Sequence, residues 1–370
     1  MAFPLAYCPE GWEVLQRLRE FFEQRPQDRI LASMDVPSRA LRDFARKHPS
    51  GYCAYPDPEE RIQFWDAYLR ERSDVRDDSI PSAYPSEMDQ GLYGALVGGE
   101  VRFLCDPDTG WISSMVPPVL EDWLELEGLA FDPRHEWFER YVRQLAIFAQ
   151  HARGRFGISH FILISGLNFV FELVGATQTY LDLMDRPETI ERAIELGREI
   201  NLRVQDAFFE QVPLFEGGTC SNMVQWIPGR IVSESVDPFH MTSVADFERW
   251  GRANLEQIYE HFDGGVLHIH ANGRHLLAAV STVRGLKALC LLDDTGFPPS
   301  FEVLPQVKQR VGDLPLIVFV DYPVFMQALA ERRLCGGVFY RVRGVPHVDA
   351  ANACMEKVRG IADGELRNAD

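Results

Sequence analysis

The sequence predicts an α/β protein, specifically a (β/α)8 barrel with an N-terminal helical extension and an inserted β-hairpin. Three observations predict it. From Gly264 onward, apolar runs recur at residues 266–270, 286–292, 314–320 and 337–340, each followed by a helical segment. Their spacing of about 20 to 30 residues suits consecutive βα units of a parallel barrel. The end of every run carries polar groups: His268, His270 and Asn272, then Asp293 and Asp294, then Asp321, then Arg341 and Arg343. Finally, 370 residues with 46% hydrophobic and 25% charged side chains suit one globular domain, 1–370, of barrel size. Within it, 1–75 reads as the helical extension and 76–360 as the barrel.

The histidine-bearing run is the most informative. Side chains alternate along a strand, so His268, His270 and Asn272 project to one face, where an interior strand would carry Val, Ile or Leu. Gly273 breaks the pattern, and residues 274–283 take helical spacing. In a barrel this trio sits at the C-terminal mouth, where catalytic groups gather. The plainer alternative is a core strand with two hydrogen-bonded histidines, since a buried polar group needs a partner. A single Asp after a strand is commonly a cap or turn former; four successive strand ends bearing polar groups favour a shared site.

Charge narrows the function. The net charge of -18 and the isoelectric point near 5.0 argue against a nucleic-acid partner, which needs a dense basic face. Seven cysteines without a C-x-x-C spacing argue against a disulfide framework or a zinc knuckle. No apolar run reaches membrane-spanning length, and the first residues lack the basic stretch of a signal peptide. A cytoplasmic protein is expected.

Taken in order, residues 12–24 read as an amphipathic helix, 29–34 as a first strand stopped by Pro37, and 59–72 as a helix. Arg39 follows where a site loop could begin. Asp77-Asp78-Ser79-Ile80-Pro81 reads as a second strand end or as a solvated turn. Residues 101–105 and 111–115 form a hairpin around Asp106-Pro-Asp-Thr-Gly110. A helix is expected over 135–154, a strand from Phe161 with Asn168 in the loop beyond it, and helices over 169–183 and 187–212, the latter with Pro187 in its first turn. Residues 216–226, which hold Glu216 and Asn222, read either as a glycine-bearing site segment or as a plain surface loop. Ser243 and Asp246 have the spacing of a capping box.

Across residues 78–359 the chain resembles the uroporphyrinogen decarboxylase superfamily, which includes cobalamin-linked methyltransferases. The resemblance rests on Asp78-Ser-Ile-Pro81, on Gly175-Ala-Thr-Gln-Thr-Tyr-Leu-Asp-Leu-Met-Asp-Arg-Pro-Glu188, on Pro238-Phe-His-Met-Thr-Ser-Val-Ala-Asp-Phe247 and on His270-Ala-Asn-Gly273. It implies a barrel enzyme. The departures are specific. The decarboxylases carry an Arg-Gln-Ala-Gly-Arg motif near the first strand, and here Met34-Asp-Val-Pro-Ser-Arg39 keeps one arginine. The methyltransferases bind zinc through His-x-Cys-Gly and a later Cys; here His270 matches the His, Asn272 replaces the first Cys, and residues 341–344 hold no Cys.

The resemblance therefore implies one-carbon transfer or demethylation on a small organic substrate, with cobalamin reaching the site on a corrinoid partner protein. The alternatives are cofactor-free decarboxylation of a carboxylated or tetrapyrrole substrate, and a barrel that binds a ligand without turnover. His270 is the expected ligand or acid/base, with Asp78 and Asp321 as charged partners. His268, His270, Asp293 and Asp294 could hold zinc or another divalent metal such as iron. Substrate contacts are expected from Arg39, Asn168, Glu216, Asn222, Asn272, Arg341 and Arg343. The expected partners are the small-molecule substrate, a corrinoid protein and a second copy in a homodimer, with neither nucleic acid nor membrane.

Overall fold

The strands that carry the candidate site are buried on both faces, and so they read as nearly continuous apolar segments. The computed structural model describes residues 3–23 and 30–362. In it, seven parallel strands form one sheet in the order Ile30–Met34, Val338–Arg343, Leu316–Asp321, Leu286–Leu291, Gly265–Ile269, Val232–Ser235 and Ile162–Leu163. Register aligns their carboxyl ends: Ser235 pairs with His268, His268 with Cys290, Phe319 with Arg341, and Arg341 with Ser33. Helices connect the strands, and the fold is mixed α/β.

Alternation along the strands divides the core in two. Leu31, Val266, Ala288, Cys290, Ile317 and Phe339 pack with Leu15, Leu18 and Phe21 of the first helix, Gly11–Glu23, and with Met223, Trp226 and Ile227. Their strand neighbours Ala32, Leu267, Leu289, Val318 and Tyr340 face the larger cluster formed with the outer helices. Residues 216–226 are thus not a loose loop. Gly218–Ser221 and Gln225–Pro228 pair as an antiparallel hairpin, with Trp226 fully buried and its indole N–H donating to the Phe215 carbonyl at 2.7 Å.

Several expected elements change. The helix expected at 169–183 is two, Leu167–Val174 and Ala176–Asp185, because Gly175 takes φ +79° between them, a conformation suited to glycine. The 102–115 hairpin gains a third strand, Gly51–Cys53. The helix expected at 274–283 is a 3-10 turn, Ala271–Leu276, followed by one helical turn, Leu277–Val280. Gln24 and Arg29, the expected ends of the first helix and strand, lie outside the described residues. All seven cysteines are free, and among the described residues no helix is long and apolar enough to cross a membrane.

Within the seven-stranded sheet one strand had no counterpart in the expectations. Val232–Ser235 reads as polar because Ser233, Glu234 and Ser235 are buried in it. The Glu234 carboxylate accepts from Ser165 Oγ at 2.7 Å and from the amides of Asn201 and Gln205 at 2.9 Å each. Burial raises this acid to about 7, against the pull of those three donors.

The closed eight-strand ring is not completed by ladder bonds among the described residues. The sheet stops at Ile30–Met34 and Ile162–Leu163, while Ser82–Ala83 and Gly157–Ile158 form a separate parallel pair. At the free edge of Ile30–Met34, side chains replace a strand. Ala32 N donates to Asp78 Oδ2 at 3.0 Å, Met34 N donates to Asp77 Oδ2 at 2.8 Å, and Asp78 N returns a bond to Ala32 O at 2.9 Å. Arg17 Nε holds the other Asp78 oxygen at 2.7 Å.

Asp78→Ala would leave Arg17 without its carboxylate and the Ala32 N–H without an acceptor. Removing one partner of such a buried pair costs about 3 to 5 kcal/mol, so urea unfolding should show a loss of that order. Asp78→Asn, which keeps an acceptor oxygen, should lose less.

Candidate functional site

The carboxyl edge of the sheet gathers three histidines and two carboxylates. His268 is the penultimate residue of the Gly265–Ile269 strand, and His270 follows as the strand leads into the 271–276 turn. Asp237 and His240 come from the short 3-10 segment Asp237–Met241, which begins one residue beyond the neighbouring Val232–Ser235 strand. Parallel pairing of Ser235 with His268 is what sets Asp237 opposite the histidines. Asp294 follows the Leu286–Leu291 strand on the other side.

Distances define the cluster. His268 Nε2 lies 2.9 Å from Asp237 Oδ1, and His240 Nδ1 lies 3.7 Å from the same oxygen. His270 Nδ1 lies 2.8 Å from Asp294 Oδ1. The His270 ring centroid is 5.3 Å from that of His268 and 5.6 Å from that of His240. Ligand atoms of Asp237, His268 and His270 all fall within 4.8 Å of one another. Gly273 makes room for this packing, because a Cβ there would stand 2.1 Å from the His240 ring.

Electrostatics polarise the cluster. Burial acts to raise the Asp237 carboxyl, yet His268 first, and then His240 and His270, hold it far below the usual carboxylate range. Asp294 is likewise lowered, by its hydrogen bond to His270 acting against partial burial. Burial pushes His240 down to about 4, more than the Asp237 charge restores, so His240 is neutral near pH 7. His268 Nδ1, His240 Nε2 and Asn272 Oδ1 are buried without a hydrogen-bond partner among the described residues.

The donor set fits a divalent metal. Asp294 accepts from His270 Nδ1, which fixes the tautomer and leaves Nε2 for a ligand, as carboxylates behind metal-bound histidines do. Two imidazoles and one carboxylate suit zinc or iron. A tetrahedral ion with bonds of about 2.1 Å keeps its ligand atoms about 3.4 Å apart, so side-chain shifts on the order of 1 Å would close this shell.

The expected residues divide. His268, His270 and Asp294 join the cluster. Asp293 turns aside, accepting from Ser300 N at 2.7 Å with Arg274 at 3.7 Å. Asn272 reaches Asp294 through its backbone N–H at 3.4 Å, and Asn168 Nδ2 donates to the Ser235 carbonyl at 3.0 Å, behind the cluster. Asp237 and His240 were missed. The signal for them was Asp237-Pro238 standing just beyond a strand whose polar residues hid it, with His240 inside a family-like segment but given no role.

Further along the same edge a cavity of about 410 Å³ opens, lined by Ser33, Asn222, Gln225, Phe319, Arg341 and Arg343 among others. The Arg341 guanidinium donates to the Asn222 carbonyl at 2.7 Å and lies 4.9 Å from the Phe319 ring centroid. Arg343 pairs with Asp321 at 3.1 Å on the exposed rim. Neither His268 nor His270 lines this cavity. Arg39 is not brought in: its exposed side chain faces Asp43 at 3.6 Å on its own helix. Glu216 is exposed two residues before the Gly218–Ser221 strand, at the opposite end of that strand from Asn222. Both oxygens of Asp78 are taken up by the sheet edge and Arg17.

No family model matches the chain, and no curated protein matches it. Among solved structures it is similar to a methyltransferase from Methanosarcina mazei, with a TM-score of 0.62 and 13% identity over 94% of this chain and 99% of that one. At that identity the likeness is one of fold.

Two outcomes test the cluster geometry. His240 is held below its unfolded value of about 6.5, so the folded protein resists protonating it. Its contribution to stability is complete above about pH 6.5 and is lost as pH falls toward 4, by about 3 kcal/mol. The difference in unfolding free energy between wild type and His240→Gln should shift with pH across that window and level off outside it. Gly273→Ala should cost about 1 to 3 kcal/mol through overpacking against His240, read by thermal unfolding.

Proposed function

We propose that the chain is an enzyme of one-carbon transfer, most simply methyl transfer to or from a small organic substrate, using a divalent metal held by Asp237, His268 and His270. The observation that carries this reading is the convergence of three ligand atoms within 4.8 Å at the carboxyl edge of the sheet, where open α/β sheets and barrels place their chemistry. The fold likeness to a methyltransferase supports it. We read the seven-stranded sheet and the separate strand pair together as a divergent (β/α)8-type barrel, joined at its seam by Asp77 and Asp78.

When bound, such an ion supplies Lewis acidity, which lowers the pKa of a substrate thiol or hydroxyl brought to it. The protein's own groups do the rest. Asp294 orients His270, and Asp237 gives the pocket negative charge that offsets a cation. His240, neutral near pH 7, offers its unpartnered Nε2 as a hydrogen-bond acceptor to a substrate hydroxyl or thiol. A corrinoid protein is the methyl carrier that the resemblance implies. Decarboxylation through Asp78 has less support, because that carboxylate is bonded into the sheet edge.

The test is metal content in protein purified without an affinity tag, followed by cobalt(II) titration watched in the visible spectrum. About one metal per chain is expected, lost in His268→Ala/His270→Ala and in Asp237→Ala. Asp294→Ala should weaken affinity about 10- to 100-fold. A wild-type chain that binds neither zinc nor cobalt at micromolar concentration would sink the metal reading. Methyl transfer is then assayed with methylcobalamin and a thiol acceptor.

A further inference from the structure

Arg341 stands apart from the other cations of the 410 Å³ cavity. Arg72 is tied to Asp77 at 3.3 Å and to the Met34 carbonyl at 2.9 Å, and Arg343 is tied to Asp321. Among the described residues no carboxylate lies within ion-pairing distance of Arg341. Asp35 acts on it from the exposed rim, and Asp108, also exposed, lines the same cavity. Burial disfavours its charge and lowers its pKa. A cation partly withdrawn from water ordinarily has a counter-charge, and here its direct contacts among the described residues are the Asn222 carbonyl and the Phe319 ring.

Two more features of the same wall point to a ligand. Asn222 Oδ1 is buried and has no donor among the described residues, on the residue whose carbonyl already holds Arg341. Gln225 keeps φ +68°, a left-handed conformation that costs a non-glycine residue about 1 to 3 kcal/mol and gathers at binding sites. The remaining walls include Trp65, Tyr68, Tyr84 and Trp111. A concave, mostly apolar space of this size with a few polar groups suits a small molecule.

From these groups we infer that the cavity binds a small aryl carboxylate bearing a hydrogen-bond donor beside the carboxylate. The anion sits on Arg341, the neighbouring hydroxyl or amine donates to Asn222 Oδ1, and the ring lies among the aromatic walls. Neither His268 nor His270 lines this cavity, so the inference concerns binding and rests on the reading above only for the chemistry that would follow it.

Binding of mandelate, phenylacetate and phenylacetamide separates the three contacts. Each is titrated into the full chain, before and after EDTA treatment, with emission of Trp65 and Trp111 as the signal and calorimetry as the check. Phenylacetate should bind about 10-fold or more tighter than its neutral amide, and mandelate about 5-fold tighter than phenylacetate. Arg341→Met should erase the preference for acid over amide, and Asn222→Ala should erase only the gain from the hydroxyl. Arg341→Lys should keep a weakened preference, and circular dichroism confirms that each variant is folded.

The inference is overturned if no acid binds saturably to wild type, if acid and amide bind equally, or if folded Arg341→Met keeps the preference. If Arg341→Met does not fold, the acid-to-amide ratio in wild type together with Asn222→Ala decides the matter. Acid binding by a wild-type chain that takes up neither zinc nor cobalt would leave this inference standing while the preceding reading fails, whereas a metal-loaded chain that ignores all three acids would do the reverse.

Discussion

The architecture of the site depends on how the edge of one strand is satisfied. Ile30–Met34 presents backbone N–H groups on the side away from its ladder partner Val338–Arg343, and Asp77 and Asp78 accept two of them with their carboxylates. Unpaired buried N–H groups cost stability, so the strand stays in place only while those carboxylates do. Its ladder partner carries Arg341, and the parallel register that sets Arg341 opposite Ser33 links the position of the seam to the cavity wall. Arg72 closes the loop of contacts, bonding Asp77 and the Met34 carbonyl while lining the same cavity. Structure and binding are therefore one problem at this seam.

On the other flank the constraint is the cost of burying imidazoles. Three histidines and a carboxylate packed together without compensation would be destabilising. Asp237 and Asp294 supply hydrogen bonds from opposite sides, one to His268 and one to His270. The remaining buried nitrogens, His268 Nδ1 and His240 Nε2, are left without partners. A native fold keeps few such atoms, and where they persist they mark a water, an ion or a catalytic role. A wholly structural pair of histidines would have no need to leave both atoms bare beside a third imidazole.

How much of this was legible follows from what each element hides. The histidine strand was readable because its outer face is apolar while its inner face is not, so alternation separated the two. Val232–Ser235 was unreadable for the converse reason: its outward Glu234 is solvated by Ser165, Asn201 and Gln205 rather than by water, and a strand with buried carboxyl and hydroxyl groups looks like a turn. Losing that strand hid Asp237 and His240, which are placed by it. Residues 216–226 misled through their glycines, since close packing, not looseness, was their use: a Cβ on Gly218 would stand 2.4 Å from Trp226. Asp77 and Asp78 read as a strand end or a turn, and they are instead the side-chain substitute for a ladder, an arrangement that no local pattern encodes.

The overall charge of -18 bears on how an anion could reach Arg341. At physiological ionic strength the Debye length is about 8 Å, so most surface carboxylates are screened from a ligand already inside the cavity. What that ligand meets is local: one unpaired guanidinium, two arginines whose charges are spent on Asp77 and Asp321, and the rim carboxylates Asp35 and Asp108. These three arginines and four aspartates leave about one net negative charge before binding, which cannot draw anions from afar. Selectivity then falls to contact geometry, a planar fork for a carboxylate and an amide oxygen next to it, which is how an acidic protein can hold a small acid while repelling polyanions in general.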